Sequence, residues 1–416
     1  MIVLPKSGRP WLAAGFLMML FSGFGQTYFI SLFSAHLTGA LGLSAGAFGS
    51  IYAAATLSSA VALLFAGRLA DAERLRALAL CLLVALAAAC LLIAGVGSAA
   101  VLLVALFGLR FFGQGMVTHV AMTAMGRWFP QGRGTAVAVA ALGMPAGEAL
   151  LPGLTVGAIA VLGWRGAYVA AAAVLVVVAV PLIAWLLAGA PGTAPGDPSR
   201  PGDVDDDRRQ WTRAEVLRDP LFFAMLPGLL APSFVWTGFV FNQVPLSAVK
   251  GWDISWFAFS FPFSAAAAVV ASLTAGAIID RIGGRRILPV FLLPLALGLA
   301  IAVTAHDPRL LPAAFALCGL TIGSAQTLLG ALWAELYGTL HLGAVRSLAT
   351  SGMVLASALA PALIGLLVDA GFGLEAIVLA LSVYLVAAAA SLALVARRIR
   401  IRASAAGGIA ADRGAG

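Results

Sequence analysis

Twelve apolar stretches, each about the length of a bilayer crossing, divide this chain, and mostly short polar turns separate them. A helix needs about 20 apolar residues to cross a hydrocarbon core of about 30 Å. The stretches run near 11–36, 46–66, 77–97, 99–123, 135–161, 167–189, 221–247, 256–278, 287–305, 310–333, 347–369 and 375–396. Only 10% of the residues are charged and 62% are hydrophobic, against about 25% charged in a soluble domain. No soluble core could bury so much apolar surface, so lipid is the solvent. In lipid only structures that satisfy their own backbone, here helices, can span. The first stretch, from Trp11 to about Phe33, is too long for the core of a secretion signal and reads as the first span.

Charge then orients the spans. The formal net charge is +8, but the basic residues sit in short loops, with no basic stripe or aromatic platform that would fit nucleic acid. Lys6, Arg9, Arg68, Arg74, Arg76, Arg127, Arg133, Arg281, Arg285, Arg286, Arg346 and the Arg397–Arg402 cluster fall at one end of the spans; only Arg165, Lys250 and Arg309 fall at the other. Because cytoplasmic loops carry the excess of Lys and Arg, both termini are expected in the cytoplasm. Cys81, Cys90 and Cys318 all lie in apolar segments, so neither a disulfide framework nor a metal site is indicated.

The chain also repeats itself. Gly67-Arg68-Leu69-Ala70-Asp71 follows the second span, and Gly276-Ala277-Ile278-Ile279-Asp280-Arg281-Ile282-Gly283-Gly284-Arg285-Arg286 follows the eighth, 209 residues later. At the same offset Pro152 meets Pro361 and Gly42 meets Gly251; at 211, Gly108-Leu109 meets Gly319-Leu320. Between the copies, Ala190 to Asp219 is rich in Pro, Gly and Asp and cannot bury a core. The expected organisation is a six-helix half over 1–189, a cytoplasmic linker over 190–219, a second six-helix half over 220–396 and a cytoplasmic tail over 397–416. The linker's end, Trp211 to Asp219, could form a short amphipathic helix on the membrane surface.

These features resemble the major facilitator superfamily of secondary transporters over essentially the whole chain. The Gly276–Arg286 corner is similar to that family's G-x-x-x-D-R-x-G-x-[RK]-[RK] loop. The first copy keeps Gly67 and Asp71, whereas Ala72, Glu73 and Leu75 depart from it. Leu106 to Gly115, around Arg110, is similar to the family's R-x-x-x-G motif in span four. Arg127-Trp128-Phe129-Pro130, followed by Gly132-Arg133-Gly134, looks like a form common among bacterial members, including organic-anion carriers. The resemblance implies an all-α integral membrane fold with two pseudo-symmetric six-helix halves, and a solute path between them near the midplane. It also implies residence in a bacterial inner membrane.

Aspartates at the corners can meet the positive end of a neighbouring helix and nearby arginines. Gly67, Asp71, Gly276, Asp280, Arg281, Arg285, Arg286 and Glu335 are therefore candidate cytoplasmic gate residues, with Glu335 pairing with Arg346 or Arg127. The gate is expected to be asymmetric, because the second corner is complete and the first is not.

A charge inside the membrane costs about 2.5–3.5 kcal/mol at a helix centre and needs a partner or water. Arg110 and Glu148 lie about 15 and 20 Å from opposite faces at 1.5 Å per residue, depths that let them meet. They are the expected ion pair and proton-coupling site, with Glu148 the titrating group. His119 is expected to be a hydrogen-bonded packing residue, and Asp369 and Glu375, beside the last turn, to face water. Span-five and span-ten glycines, among them Gly143, Gly147 and Gly153, are expected to permit close helix packing. By the family resemblance, spans one, four, seven and ten line the cavity. Gln26, Tyr28, Gln114, Trp236, Asn242, Gln243 and Gln326 are then the candidate solute contacts.

The expected function is proton-coupled transport of a small organic solute, an anion where Arg110 keeps charge to offer. A drug or toxic-compound efflux antiporter is the alternative, favoured by the many Phe and Trp. A non-transporting membrane receptor on the same scaffold is the alternative of another class. No nucleophile elbow, phosphate loop or metal cluster marks an enzyme, so neither catalytic residues nor a metal or cofactor is expected. The expected partners are a small-molecule substrate, protons and membrane lipid, with no nucleic acid, and the chain is expected to be a monomer.

Overall fold

The computed structural model describes residues 8–67, 69, 75–129, 133–189, 210–338 and 340–413, and every regular element among them is helical. Among the described residues, nine helices are long and apolar enough to cross a membrane. A tenth crossing is the bent pair Arg9–Gly25 and Thr27–Leu41, whose axes meet at 43°.

Two places account for the difference from the twelve spans expected. Gly134–Leu186 is one apolar run of 53 residues. As a straight rod it would measure about 80 Å, more than twice the bilayer core. Gly163, at φ 69° and ψ 168°, breaks it at the turn expected between spans five and six, so the run holds both. The ninth span is helical only over Leu293–Thr304, 12 residues. Pro289 has no N–H to donate, and Pro294 sits in the first turn of that helix, where a proline is tolerated. Residues 287–292 are turns instead.

Local chemistry starts and stops these helices. The Ser44 hydroxyl accepts from the Ala47 N–H and the Ser98 hydroxyl from the Val101 N–H, each satisfying an orphan donor worth about 1 kcal/mol. The internal repeat is visible in the backbone. Ser34–Leu41 and Gln243–Lys250 are eight-residue helices 209 residues apart. Phe33 precedes one at φ −97°, ψ 1°, and Asn242 the other at φ −96°, ψ 16°. Gly42 ends one at φ 62° and Gly251 the other at φ 63°, a left-handed conformation that glycine adopts without penalty. Pro152 and Pro361, also 209 apart, both lie inside helices.

By contacts the chain forms two units that cut across the sequence halves. The first joins residues 1–200 to 237–265 and 357–374; the second holds 201–236, 266–356 and 375–416. The first unit therefore includes those parts of spans seven, eight and eleven that adjoin the arginine-poor turns. Its core contains a buried aromatic stack in which Phe33 lies 5.2 Å from Phe29 and 4.0 Å from Tyr168 between ring centroids. In the second unit Trp333 packs against Phe222 at 5.6 Å and Tyr337 at 6.1 Å.

Candidate functional site

Span one breaks in its middle. Ser22–Gly25 is a 3-10 turn, and Gln26 is extended at φ −89°, ψ 157°. Ser22, Gly23 and Gly25 are weak helix formers, and the neighbouring span uses the gap. A Cβ on Gly25 would lie 2.8 Å from Gly113 Cα and 2.9 Å from Gln114 N, and closer still to the Leu109 carbonyl oxygen. Only glycine permits this approach. Facing the break, Leu109–Val117 in span four is wound as a π-helix, a distortion found often at functional sites.

Arg110 sits on that π-segment and is 2% exposed. Its Nη1 donates to the Gly25 carbonyl at 3.2 Å, a group freed by the break. Its guanidinium carbon lies 5.2 Å from the Tyr52 ring centroid. The salt bridge expected with Glu148 is not formed: no ion pair within 4.0 Å joins these two described residues. Magnitudes show why none is required. A hydrogen bond to a charged group contributes about 1.5–3 kcal/mol and a cation–π contact about 0.5–2. Together they offset a burial cost of about 2.5–3.5 kcal/mol. Arg110 Nε has no partner.

Glu148 lies on span five, which packs against span one. The span-five glycines bring it there: a Cβ on Gly147 would meet the Leu20 carbonyl at 2.9 Å and the Tyr28 hydroxyl at 3.1 Å, and one on Gly143 would lie 2.8 Å from Met19 Cβ. Gly153 differs from the expectation of close packing, since nothing lies within 4 Å of its Cβ position.

Other expected contacts spread out. The side chains of Gln26, Tyr28 and Thr56 are buried, with Gln26 Nε2, the Tyr28 hydroxyl and Thr56 Oγ1 unpartnered. Gln114 is half-buried on the π-segment. Gln243 is fully buried; its amide donates to Ser31 Oγ at 2.7 Å and the Tyr28 carbonyl at 3.3 Å. Asn242 donates to the Gly238 carbonyl of the preceding helix at 2.8 Å. Trp236 lies in the second unit, its ring 5.5 Å from that of Phe315. The Gln326 side chain lies outside the described residues.

The arginine-poor end of the first unit carries contacts the sequence reading missed. Phe241, the last residue of the helix Pro220–Phe241, packs against Tyr52 at 4.7 Å and Phe48 at 5.2 Å. Span two meets span eleven almost backbone to backbone: a Cβ on Gly365 would lie 2.7 Å from the Ala45 carbonyl carbon, and one on Gly49 would lie 2.7 Å from that of Pro361. Asp369, exposed as expected beside the last turn, also bonds across this seam. Its Oδ2 accepts from Ser44 Oγ at 2.6 Å and from the Gly46 N–H at 2.9 Å, at the positive end of the 22-residue helix Ala45–Ala66.

At the arginine-rich end of the second unit, Glu335 in the last turn of its helix binds the second corner. It accepts from Arg285 Nε and from the Gly284 N–H at 3.1 Å; these partners replace the Arg346 or Arg127 expected. Gly283, at φ 81°, turns the chain to present them. Arg281 and Arg286 are exposed, and Gly276 lies 3.7 Å, at its Cβ position, from Thr327 Cγ2. The Asp280 side chain lies outside the described residues, as does Asp71 in the first corner. Gly67 is described, and its carbonyl accepts from His119 Nε2 at 3.2 Å. The linker's end forms the expected helical turn, Arg213–Val216, with a capping box between Thr212 and Glu215. It holds the end of span ten through Trp211 N–H to the Tyr337 carbonyl at 3.0 Å and Leu340 N–H to Gln210 Oε1 at 3.0 Å.

A bundle of apolar helices with one span broken around a buried cation has the form of a membrane transporter. A family model described as the Major Facilitator Superfamily matches residues 15–272 and 254–411, and the chain belongs to that family of transporters. Similar solved structures share the fold. One is a bacterial homolog to the human lysosomal transporter Spinster, in an inward-facing and unoccupied conformation, with a TM-score of 0.75 and 17% identity over 95% of this chain and 98% of that one. Another is the nucleoside transporter NupG, with a TM-score of 0.71 and 13% identity over 94% of this chain and 99% of that one. A search of the curated proteins finds no match.

Proposed function

We propose that this protein is a proton-coupled secondary transporter of small organic anions, working by alternating access between its two halves. The observation that carries the reading is Arg110: a buried cation at a broken span, held by a carbonyl and an aromatic ring, with Nε unpartnered. The unpartnered Gln26 amide, Tyr28 hydroxyl and Thr56 hydroxyl add hydrogen-bond donors in spans one and two, which suits an acceptor-rich group such as a carboxylate. Charge balance favours coupling to protons. A monoanion on Arg110 with Glu148 protonated adds no net charge to the membrane interior, whereas the same complex with Glu148 ionised adds one negative charge. Moving one uncompensated charge through a 100 mV potential changes the energy by about 2.3 kcal/mol. That the fold can carry a polar organic solute is supported by its likeness to a nucleoside transporter. The positive-inside pattern supports cytoplasmic termini in a bacterial inner membrane.

Proteoliposomes with an imposed pH gradient test this. A panel of radiolabelled organic anions should show gradient-driven uptake in the wild type. Glu148→Gln should lose the response to the gradient while keeping solute exchange at equal pH. Gradient-driven uptake untouched by Glu148→Gln at every pH would remove the coupling role.

A further inference from the structure

Tyr52 stands where solute engagement and closure of the arginine-poor end meet. It is fully buried on span two. One side of its ring faces the Arg110 guanidinium at 5.2 Å. Its hydroxyl shares a 2.7 Å hydrogen bond with Thr27 Oγ1, the first residue past the break in span one. The ring also packs against Phe241 at 4.7 Å and 56°. At Phe241 the seventh span turns, because Asn242 leaves helical geometry at φ −96°, ψ 16°. Phe48, one turn earlier on span two, stacks on Phe241 at 5.2 Å and 24°. A residue that only filled space there could be any large apolar side chain. None but an aromatic ring could attract the guanidinium, and none but tyrosine could also reach Thr27.

We propose that Tyr52 is a positioning residue that ties the state of Arg110 to closure of the arginine-poor end, holding the guanidinium by one part of its ring and Phe241 by another. The ring occupies one approach to the cation and leaves Nε for the solute. An anion at Nε neutralises the charge that attracts the ring, so filling the site loosens the hold on Tyr52 and, through it, on Phe241. The inference rests on Arg110 being the anion site. It is tested without solute, so it can fail while anion transport stands, and transport can fail while it stands.

The experiment is a double-mutant cycle read by electron–electron double resonance in lipid nanodiscs. Spin labels go on Gly39→Cys and Gly373→Cys, positions with no atom within 4 Å of a Cβ, in a background where Cys81, Cys90 and Cys318 are alanine. Tyr52→Leu and Arg110→Met should each lower the ratio of short-distance to long-distance states by about 2- to 30-fold, the range of a cation–π contact. The double variant should fall no further than the larger single effect, and Tyr52→Phe should keep most of the wild-type ratio. Independent, multiplying effects of Tyr52→Leu and Arg110→Met overturn the proposal, as does an unchanged ratio in either single variant. If Tyr52→Leu does not fold, Phe241→Leu takes its place in the cycle with the same expected coupling to Arg110→Met.

Discussion

Gly25→Ala is the smallest change that strikes the proposed site. Its new methyl would lie 2.8 Å from Gly113 Cα and 2.9 Å from Gln114 N, and nearer again to the Leu109 carbonyl oxygen. Carbon atoms rest at about 3.5–4.0 Å, so spans one and four must separate by roughly 0.7–1.2 Å. All three obstructing atoms are backbone, and no side-chain rotation relieves them. Overpacking of this kind costs about 1–3 kcal/mol, and the shift also pulls the Gly25 carbonyl from its 3.2 Å bond with Arg110. Thermal unfolding in detergent can be followed with a thiol-reactive dye, because Cys90 and Cys318 are buried and become reactive only on unfolding. Gly153→Ala is the control: nothing lies within 4 Å of that position, and alanine is the better helix former. The melting temperature should fall for Gly25→Ala and hold or rise for Gly153→Ala. Equal stability of Gly25→Ala and wild type would refute the close approach of the break to the π-segment.

Three further changes test other parts of the account. Asp369→Ala removes the acceptor for Ser44 and Gly46 and should lower stability by about 0.5–2 kcal/mol, as loss of a helix cap does; an unchanged melting temperature contradicts the seam it closes. Glu335→Gln breaks the pair with Arg285, whose side chains are 20% and 33% exposed. The cost should stay below about 1 kcal/mol and shrink in 1 M salt, and a cost that grows with salt contradicts it. Asp253 lies in the turn after Gln243–Lys250, and hydrogen bonds from the Ser255 side chain and backbone hold its carboxyl below the usual range. Its stabilising effect is therefore present above about pH 3.9, the unfolded value, and is lost as pH falls through the depressed folded value. Melting curves should separate wild type from Asp253→Asn at pH 7 and converge at acid pH; divergence on acidification refutes the assignment.

The spans were legible because lipid demands length and apolarity, and both are written in composition. The repeat was legible too, since Gly42 and Gly251 occupy equivalent left-handed caps. The broken first span had a signal in Ser22, Gly23 and Gly25, but glycine marks close packing as readily as a break. The π-segment had none, because an extra residue in a helical turn is set by what packs against it. Depth arithmetic put Arg110 and Glu148 at compatible levels, yet depth says nothing of direction around a helix, and no ion pair within 4.0 Å joins the two. Tyr52 and Phe241 escaped because an aromatic residue in an apolar run looks like core. Asp369 is exposed as expected; its bonds to Ser44 and Gly46 escaped because they show only once the neighbouring helix end is known.

Binding of an anionic solute at Arg110, as proposed, is read out by ligand-dependent thermal stability. A panel of small organic anions, cations and neutral compounds is added to purified wild type and Arg110→Met. A compound at 100 times its dissociation constant stabilises the folded state by about 2.7 kcal/mol. The stabilising compounds should be anions, and Arg110→Met should respond to none of them. Stabilisation by neutral or cationic compounds alone, or an undiminished response of Arg110→Met to anions, contradicts it.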